Sequence, residues 1–308
     1  MKYIVTGANG FIATHLINFL LEMGHEVLGT SRKVDVKKIN KNLKIHIGEI
    51  SQLESEILSF KPDVVFHLAA QSSPGLSLSN PSLTFEVNTM GTITLLEVLQ
   101  KLENQPRIVL ASTSAVYSSS VEGRPIKEDF KINPLTAYGV SKYCMEQIAQ
   151  IFIKQKNMDI IIVRPFFLIG PRKNDDVCSA FAKSVVEIEL GNKTELEVGN
   201  LNITRDFLDI IDGVKAFYTV SISGVTGEAY NISSGKGFTL RELLNIFIKN
   251  TESEIIEIIE KKYIRHIDDI VRIGDPGKLN KLGWNSNTNI EKSIKEILDY
   301  WRSENKKN

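Results

Sequence analysis

Little in this chain points to a fold held by anything other than a hydrophobic core. There are two cysteines, Cys144 and Cys178. They make no disulfide framework, show no metal-ligand spacing, and read as packing or surface thiols. The five histidines are scattered without any His-x-x-x-His pair, so no metal is expected. Neither sign of charge is in excess. Lys+Arg and Asp+Glu stand at 37 each, which leaves no global field to draw nucleic acid or an anionic membrane. No apolar run approaches the ~18–20 residues that cross a bilayer. The first residues enter a strand pattern with no signal-peptide architecture. Internal repeats and low-complexity tracts are also lacking. A soluble, cytoplasmic, metal-free protein with no nucleic-acid or membrane partner is the expectation. What the chain does have is 42% hydrophobic residues over 308 positions, enough for one large domain and a smaller appendage.

The large domain is legible from its start. Lys2–Thr6 is an apolar strand pattern that runs into Gly7-Ala8-Asn9-Gly10-Phe11-Ile12-Ala13 and a helix to about Met23. Strand, glycine-rich turn and helix are the context of a dinucleotide site. Gly7 permits the tight turn, Gly10 lets the backbone approach a pyrophosphate on the helix N-terminus, and Ala13 fills the small packing position. Asn9, Phe11 and Ile12 belong to the same cradle. Glu26–Thr30 reads as a second strand, ending in Thr30-Ser31-Arg32-Lys33. An acidic residue there would bind a ribose 2′-hydroxyl, whereas Ser31, Arg32 and Lys33 suit a 2′-phosphate, so NADPH is expected, with NADH possible. Leu43–Gly48 is a third strand, with Glu49 and Ile50 beyond it where an adenine would lie. Asp63–Leu68 is a fourth, and Leu68, Ala69 and Ala70 at its end let a cofactor lie close.

A helix over Pro81–Leu102 carries Asn88, read either as a core residue bonded to backbone or as part of a site rim. Arg107–Ser112 is a fifth strand, with Ser112-Thr113-Ser114 at its end, where ligands sit in such sheets. The helix after Pro134 carries Tyr138 and Lys142, four residues apart and hence on one face. A phenol titrates near pKa ~10, and a neighbouring ammonium is expected to lower it and suit it to proton transfer. Asp159–Arg164 is the sixth strand, closed by Pro165. Alternating strands and helices imply an α/β fold: a Rossmann-type parallel sheet with helices on both faces and a smaller α+β C-terminal lobe. Later elements are expected at Val177–Leu190, Glu195–Val198, Ile211–Val220, Ala229–Ile232, Thr239–Lys249 and Ile290–Trp301. The cofactor domain is drawn as 1–165 and 206–232, the other lobe as 166–205 and 233–308, and a frayed tail at Lys306-Lys307-Asn308.

The ordered set Thr6-Gly7-Ala8-Asn9-Gly10-Phe11-Ile12, His67-Leu68-Ala69-Ala70, Ser112-Thr113-Ser114-Ala115-Val116-Tyr117, Tyr138-x-x-x-Lys142 and Arg164-Pro165-Phe166 resembles the extended short-chain dehydrogenase/reductases acting on nucleotide sugars. Gln71-Ser72-Ser73, Phe181-Ala182-Lys183, Val198-Gly199-Asn200-Leu201, Arg205-Asp206-Phe207, Tyr230-Asn231-Ile232-Ser233-Ser234-Gly235 and Arg265 narrow it. Together they resemble the GDP-4-dehydro-6-deoxy-D-mannose reductases, which make GDP-D-rhamnose. The resemblance implies that Thr113 bonds the substrate oxygen, Tyr138 donates the proton and Lys142 holds the nicotinamide ribose. It implies a nucleotide-sugar substrate held by Ser72, Ser73, Phe167, Lys183, Arg205 and Arg265. It also implies a homodimer formed by the helices near 81–102 and 134–157. The chain departs from that group at Phe167, where asparagine is usual, at Ser114-Ala115, where acids are usual, and at His266-Ile267-Asp268. Without a carboxylate pair beside Thr113, dehydration is disfavoured. The epimerase-reductases that make GDP-L-fucose carry a cysteine where Ala115 stands. An NAD-retaining 4-epimerase is the alternative reading, and a non-catalytic nucleotide sensor would have lost Tyr138 or Lys142.

Overall fold

The computed structural model describes residues 1–32, 43–118, 124–260 and 270–306. The first half alternates strand and helix: β1 (Lys2–Thr6), α1 (Phe11–Glu22), β2 (Glu26–Ser31), β3 (Leu43–Ile47), α2 (Glu54–Phe60), β4 (Val64–His67), α3 (Pro74–Ser79), α4 (Pro81–Phe85), α5 (Gly91–Leu99), β5 (Arg107–Ala111), α6 (Ala137–Lys156) and β6 (Ile160–Pro165). The second half is less regular: β7 (Phe167–Ile169), α7 (Val177–Glu189), β8 (Glu195–Val198), β9 (Thr204–Arg205), β10 (Phe207–Asp209), α8 (Ile210–Ser223), β11 (Ala229–Ile232), β12 (Phe238–Thr239), α9 (Leu240–Lys249), β13 (Ile256–Ile259), β14 (Val271–Arg272), α10 (Gly277–Asn280) and α11 (Ile290–Asn305).

Seven strands form one sheet in the order β11-β6-β5-β4-β1-β2-β3, and every neighbouring pair is parallel. The runs Val64–His67 and Ile160–Pro165 are buried throughout, because helices cover both faces of a parallel sheet. One face packs Leu16, Leu20, Val214 and Phe217 against Val5, Phe66 and Val109. The other packs Ile57, Leu95, Leu99 and Met145 against Ile4, Val65 and Ile108. A separate cluster joins Phe181 and Val185 of α7, Leu244 and Phe247 of α9, and Ile294 and Leu298 of α11. Three small sheets, β10-β7, β12-β9-β14 and β13-β8, complete this smaller C-terminal part. Strand order reverses at β1, beside β4, which opens a crevice at the carboxyl ends of those strands. Among the described residues no helix is long and apolar enough to cross a membrane.

The expected helix 81–102 is corrected. It is broken into α4, one wide π turn over Glu86–Met90, and α5, which ends at Leu99. Asn88 lies in the π turn, fully buried. Its amide donates to the Gln71 carbonyl at 3.0 Å and to Ser141 Oγ at 2.9 Å, and its oxygen accepts from Gln71 N–H at 2.7 Å. The side chain thus ties the loop after β4 to α6. Helices α2 and α3, and strands β7, β9, β10 and β12–β14, are short and were missed in the sequence pattern.

The deepest polar contact is an ion pair. Arg164 on β6 meets Glu146 on α6 with Nε–Oε1 2.9 Å and Nη2–Oε2 2.7 Å, and both residues are nearly inaccessible. Ser112 Oγ donates to the same carboxylate at 2.5 Å, and Arg164 also donates to Tyr117 Oη at 2.9 Å. Replacing one member strands a buried charge, which typically costs about 3–5 kcal/mol, whereas replacing a whole pair by apolar groups is often near neutral. Glu146→Leu should therefore lower unfolding stability by about that amount, and adding Arg164→Met should restore much of it. Urea titrations of the single and double variants test this; additive losses would show that the pair is not the unit.

Candidate active site

An open cleft of about 1970 Å³ runs between the main sheet and the C-terminal part. Of the residues singled out from the sequence, Gly7, Asn9, Gly10, Phe11, Ile12, Ser31, Arg32, Glu49, Ile50, Leu68, Ala69, Ala70, Ser72, Ser73, Thr113, Tyr138, Lys142, Pro165, Phe167 and Arg205 all line it. Lys183 is not among its lining residues: its ammonium sits 4.3 Å from the Trp301 ring centroid and bonds Asn174 at 3.4 Å. Arg265, His266, Ile267, Asp268 and Lys33 lie outside the described residues.

At the β1–α1 turn Gly7 has φ +73°, and a Cβ there would stand 2.9 Å from Ala69 Cα. Only glycine lets the turn and the loop after β4 come so close. The N-terminus of α1 has no side-chain cap and no acidic residue in its first turn, so its positive dipole end is left for an anion. At the end of β2, Asn9 Nδ2 donates to Ser31 Oγ at 2.8 Å, and Arg32 is exposed beside it. These features fit a dinucleotide pyrophosphate and the ribose beyond it.

Thr113 stands two residues beyond β5 in extended conformation and caps a 3₁₀ turn over Ser114–Val116. Tyr138 is in the first turn of α6, whose N-cap Thr136 accepts from Gly139 N–H at 3.1 Å. A Cβ on Gly139 would be 2.6 Å from the Ala115 carbonyl oxygen. The absent side chain lets α6 dock on the turn after Thr113 and sets Tyr138 beside Thr113. Lys142, one turn on and 2% exposed, donates to the Ala111 carbonyl at 2.8 Å. Glu146, another turn on, completes a polar stripe along α6.

The structure corrects one electrostatic expectation. The Tyr138 phenol lies above its ordinary value, because burial disfavours the phenolate, and the Thr113 hydrogen bond opposes this. Lys142 is engaged with the Ala111 carbonyl and is itself pushed down to about 7 by burial, against the pull of Glu146. Behind them His67 is pushed down to about 3 by burial and by Lys142. Its neighbours fix its tautomer. Thr92 donates to the Asn88 carbonyl at 2.6 Å, so its oxygen accepts from His67 Nε2–H at 3.0 Å. Nδ1 then accepts from Thr6 Oγ1 at 2.8 Å, while Thr6 accepts the amides of Leu68 and Ala69. Thr6, His67 and Thr92 were missed as site supports. A buried-strand histidine followed by Leu68 and two alanines was the available signal.

A cleft segment also missed is the loop after β7. Arg172 has φ +74°, and Lys173 reaches back to the Leu168 carbonyl at 2.5 Å and over the Phe11 ring at 5.4 Å. The dipeptide Pro171-Arg172 after a strand marks it only weakly. Across the cleft the Arg205 guanidinium lies 5.5 Å from the Phe167 ring centroid and donates to the Thr204 carbonyl at 2.9 Å.

A parallel dinucleotide-type sheet with threonine, tyrosine and lysine at its carboxyl ends defines the class: an NAD(P)-dependent short-chain dehydrogenase/reductase of the extended, nucleotide-sugar-modifying kind. The chain belongs to the family described as GDP-mannose 4,6 dehydratase, whose profile matches residues 4–297. It is 27% identical to the GDP-6-deoxy-D-mannose reductase of Pseudomonas aeruginosa, over 98% of this chain and 97% of that one. The structure of RMD from Pseudomonas aeruginosa complexed with NADPH superposes with TM-score 0.85 at 25% identity, covering 98% of this chain and 99% of the other. The UDP-glucose 4-epimerase of Thermotoga maritima, solved with UDP-glucose, gives TM-score 0.89 at 26% identity and 99% coverage of both chains. Reductase and epimerase relatives are thus equally near.

Burial of Lys142 has a measurable consequence. Unfolded, it holds its proton to about 10.5; folded, it releases it near 7. Between these values the unfolded chain binds more protons, so stability should rise with pH across that window and be lost as pH falls through 7. Relative to Lys142→Met, the wild type should gain up to a few kcal/mol between about pH 7 and 10.5. Urea midpoints at a series of pH values measure this, and a difference flat with pH would rule out a displaced proton.

Proposed function

We propose that this protein is an NADPH-dependent reductase of the C4 ketone of a nucleotide-linked 4-keto-6-deoxyhexose, most specifically GDP-4-dehydro-6-deoxy-D-mannose giving GDP-D-rhamnose. The observation that carries this reading is the Thr113–Tyr138 pair lining one cleft with a basic, acid-free end of β2. Gly7–Ile12, Ser31, Arg32, Glu49, Ile50 and Leu68–Ala70 would hold the dinucleotide, which would supply hydride chemistry at the sugar carbon. Tyr138 donates its proton to the oxygen that becomes an alkoxide, and Thr113 gives that oxygen a second hydrogen bond. A phenol raised by burial keeps its proton until that oxygen accepts it, which suits a donor in reduction. Lys142 in its charged form stabilises the phenolate left behind. Arg205, with Ser72 and Ser73 across the cleft, holds the nucleotide diphosphate and positions the ketone.

Phe167 bears on the sugar. It packs against the cluster of Val116, Tyr117 and Phe166, just after the Thr113 turn, and also under Arg205. A sugar reaching from Thr113 to Arg205 crosses this ring, which suits a C6 methyl better than a hydroxymethyl group. Dehydration lacks its acid: the Glu146 carboxylate is engaged by Arg164 and Ser112, and Ser114 and Ala115 carry none. The second reading, a 4-epimerase, draws support from the similarity to the Thermotoga enzyme. The 166–205 and 233–308 segments are taken as the sugar-binding lobe. Exposed Val140 and Ile151 support a homodimer contact along α6.

The direct test is incubation with NADPH and a panel of nucleotide 4-keto-6-deoxysugars, following absorbance of the reduced cofactor. The GDP-linked ketone should consume NADPH, and Tyr138→Phe should slow turnover by ~10²–10⁴. Conversion of UDP-glucose to UDP-galactose without net cofactor consumption would instead establish the epimerase.

Cofactor choice rests on Arg32. A charge-assisted contact to a 2′-phosphate contributes roughly 1.5–3 kcal/mol, so NADPH should bind about ten- to a hundredfold more tightly than NADH. Arg32→Ala should abolish that preference, and Ser31→Asp should reverse it. Equal weakening of both cofactors by Arg32→Ala would mean that the guanidinium meets the adenine and not the phosphate.

A further inference from the structure

The mechanism above gives no part to Arg272, a buried cation. Arg272 on β14 is 8% exposed, and its Nη1 donates to the Ser114 carbonyl at 2.5 Å. That carbonyl also accepts from Tyr117 N–H at 3.2 Å, and so closes the 3₁₀ turn. The turn follows directly on Thr113, whose Oγ1 accepts from Ala115 N–H at 3.2 Å and whose carbonyl accepts from Val116 N–H at 3.4 Å. Three residues of 3₁₀ structure are weakly held on their own. The guanidinium supplies a charge-assisted bond, the stronger kind, at the first residue of this turn.

The other end of Arg272 is fixed as firmly. It pairs in register with Arg205, the cleft arginine, on the β9–β14 ladder. Its carbonyl accepts from Asp206 N–H at 3.0 Å. The buried Asp206 carboxylate in turn accepts from Ser234 N–H at 2.7 Å, Gly235 N–H at 2.9 Å and Gly274 N–H at 3.1 Å. A continuous set of short bonds therefore links the strand bearing Arg205 to the turn bearing Thr113.

We infer that Arg272 is a positioning residue: through the Ser114 carbonyl it sets the backbone that presents Thr113 to Tyr138, in register with the strand that carries Arg205. This rests on the reading of Thr113 and Tyr138 as the proton-transfer pair. It goes beyond that reading by giving the C-terminal ladder a hold on the catalytic turn. Arg272 would thus affect the rate of the chemical step more than the affinity for the sugar nucleotide.

Two variants and two measurements test it. Arg272→Met removes the donors at similar volume, and Arg272→Lys keeps a donor if the full length is not needed. Without any substrate, hydrogen exchange at the Val116 and Tyr117 amides should accelerate about tenfold or more in Arg272→Met. It should recover in part in Arg272→Lys, and exchange in β4 and α11 should stay unchanged. In turnover, Arg272→Met should lower kcat by about ten- to a hundredfold with KM shifted less than about threefold. In a Thr113→Val background the same change should cost no more than about a further twofold, because both act through one turn. Unaltered exchange at the turn, uniformly faster exchange everywhere, losses that multiply in the double variant, or an effect on KM alone would each overturn the assignment. If no nucleotide sugar is turned over, the reductase reading fails, while the exchange measurement still decides whether Arg272 holds the turn.

Discussion

The structure turns on how one helix buries a polar stripe. Tyr138, Lys142 and Glu146 follow each other at one-turn intervals on α6, and each faces the carboxyl ends of the sheet. Burying such groups costs several kcal/mol each unless each finds a partner. The partners come from the ends of adjacent strands: Thr113 beyond β5 for Tyr138, the Ala111 carbonyl for Lys142, and Arg164 with Ser112 for Glu146. Register on the sheet and register on the helix must therefore agree. Gly139 makes the agreement possible by letting α6 close on the Ala115 carbonyl. Core and active site are one set of contacts here, which is why the site sits at a fixed place on the sheet and not on a mobile loop.

Much of this was legible in the sequence because it obeys local periodicity. The apolar runs at 2–6, 64–67, 107–111 and 160–165 are buried strands of a parallel sheet, and their spacing leaves room only for crossover helices. The tyrosine–lysine spacing and the glycine turn are likewise local patterns. What was not legible depends on contacts distant in sequence. The π turn at Glu86–Met90 is set by Asn88 reaching Gln71 and Ser141, and no residue within the helix signals it. Two- and three-residue strands such as β9, β10 and β14 have no periodicity to read. Lys183 and Arg205 looked alike as cationic side chains, yet Trp301 and Phe167, far along the chain in one case and nearer in the other, send only the second into the cleft.

The electrostatics of Lys142 and Tyr138 show the same dependence on tertiary context. Four residues of helix place an ammonium near a phenol, but burial acts on both and moves them toward their neutral forms. A sequence gives the spacing and not the desolvation. The lowered lysine and the raised tyrosine are the consequence of enclosing the stripe, and they suit a proton donor better than a standing base.

The charge balance behind the cleft then says what the site is built to stabilise. Glu146 is matched by Arg164 in a two-bond contact, so that pair contributes little net field to the cleft. His67 is held neutral, with Nε2–H toward Thr92 and Nδ1 accepting from Thr6, and it ties the dinucleotide-type turn at β1 and β4 to the π turn that braces α6. Lys142, when protonated, is left as the buried cation closest to the reacting end. An isolated cation in a low-dielectric site is costly in the resting enzyme and favourable when an anion forms beside it. On the proposed reading, a phenolate left at Tyr138 as its proton passes to an alkoxide would be such an anion. The neutral histidine matters to this arrangement: a second positive charge there would push the Lys142 proton off at still lower pH and remove the field that the reaction needs.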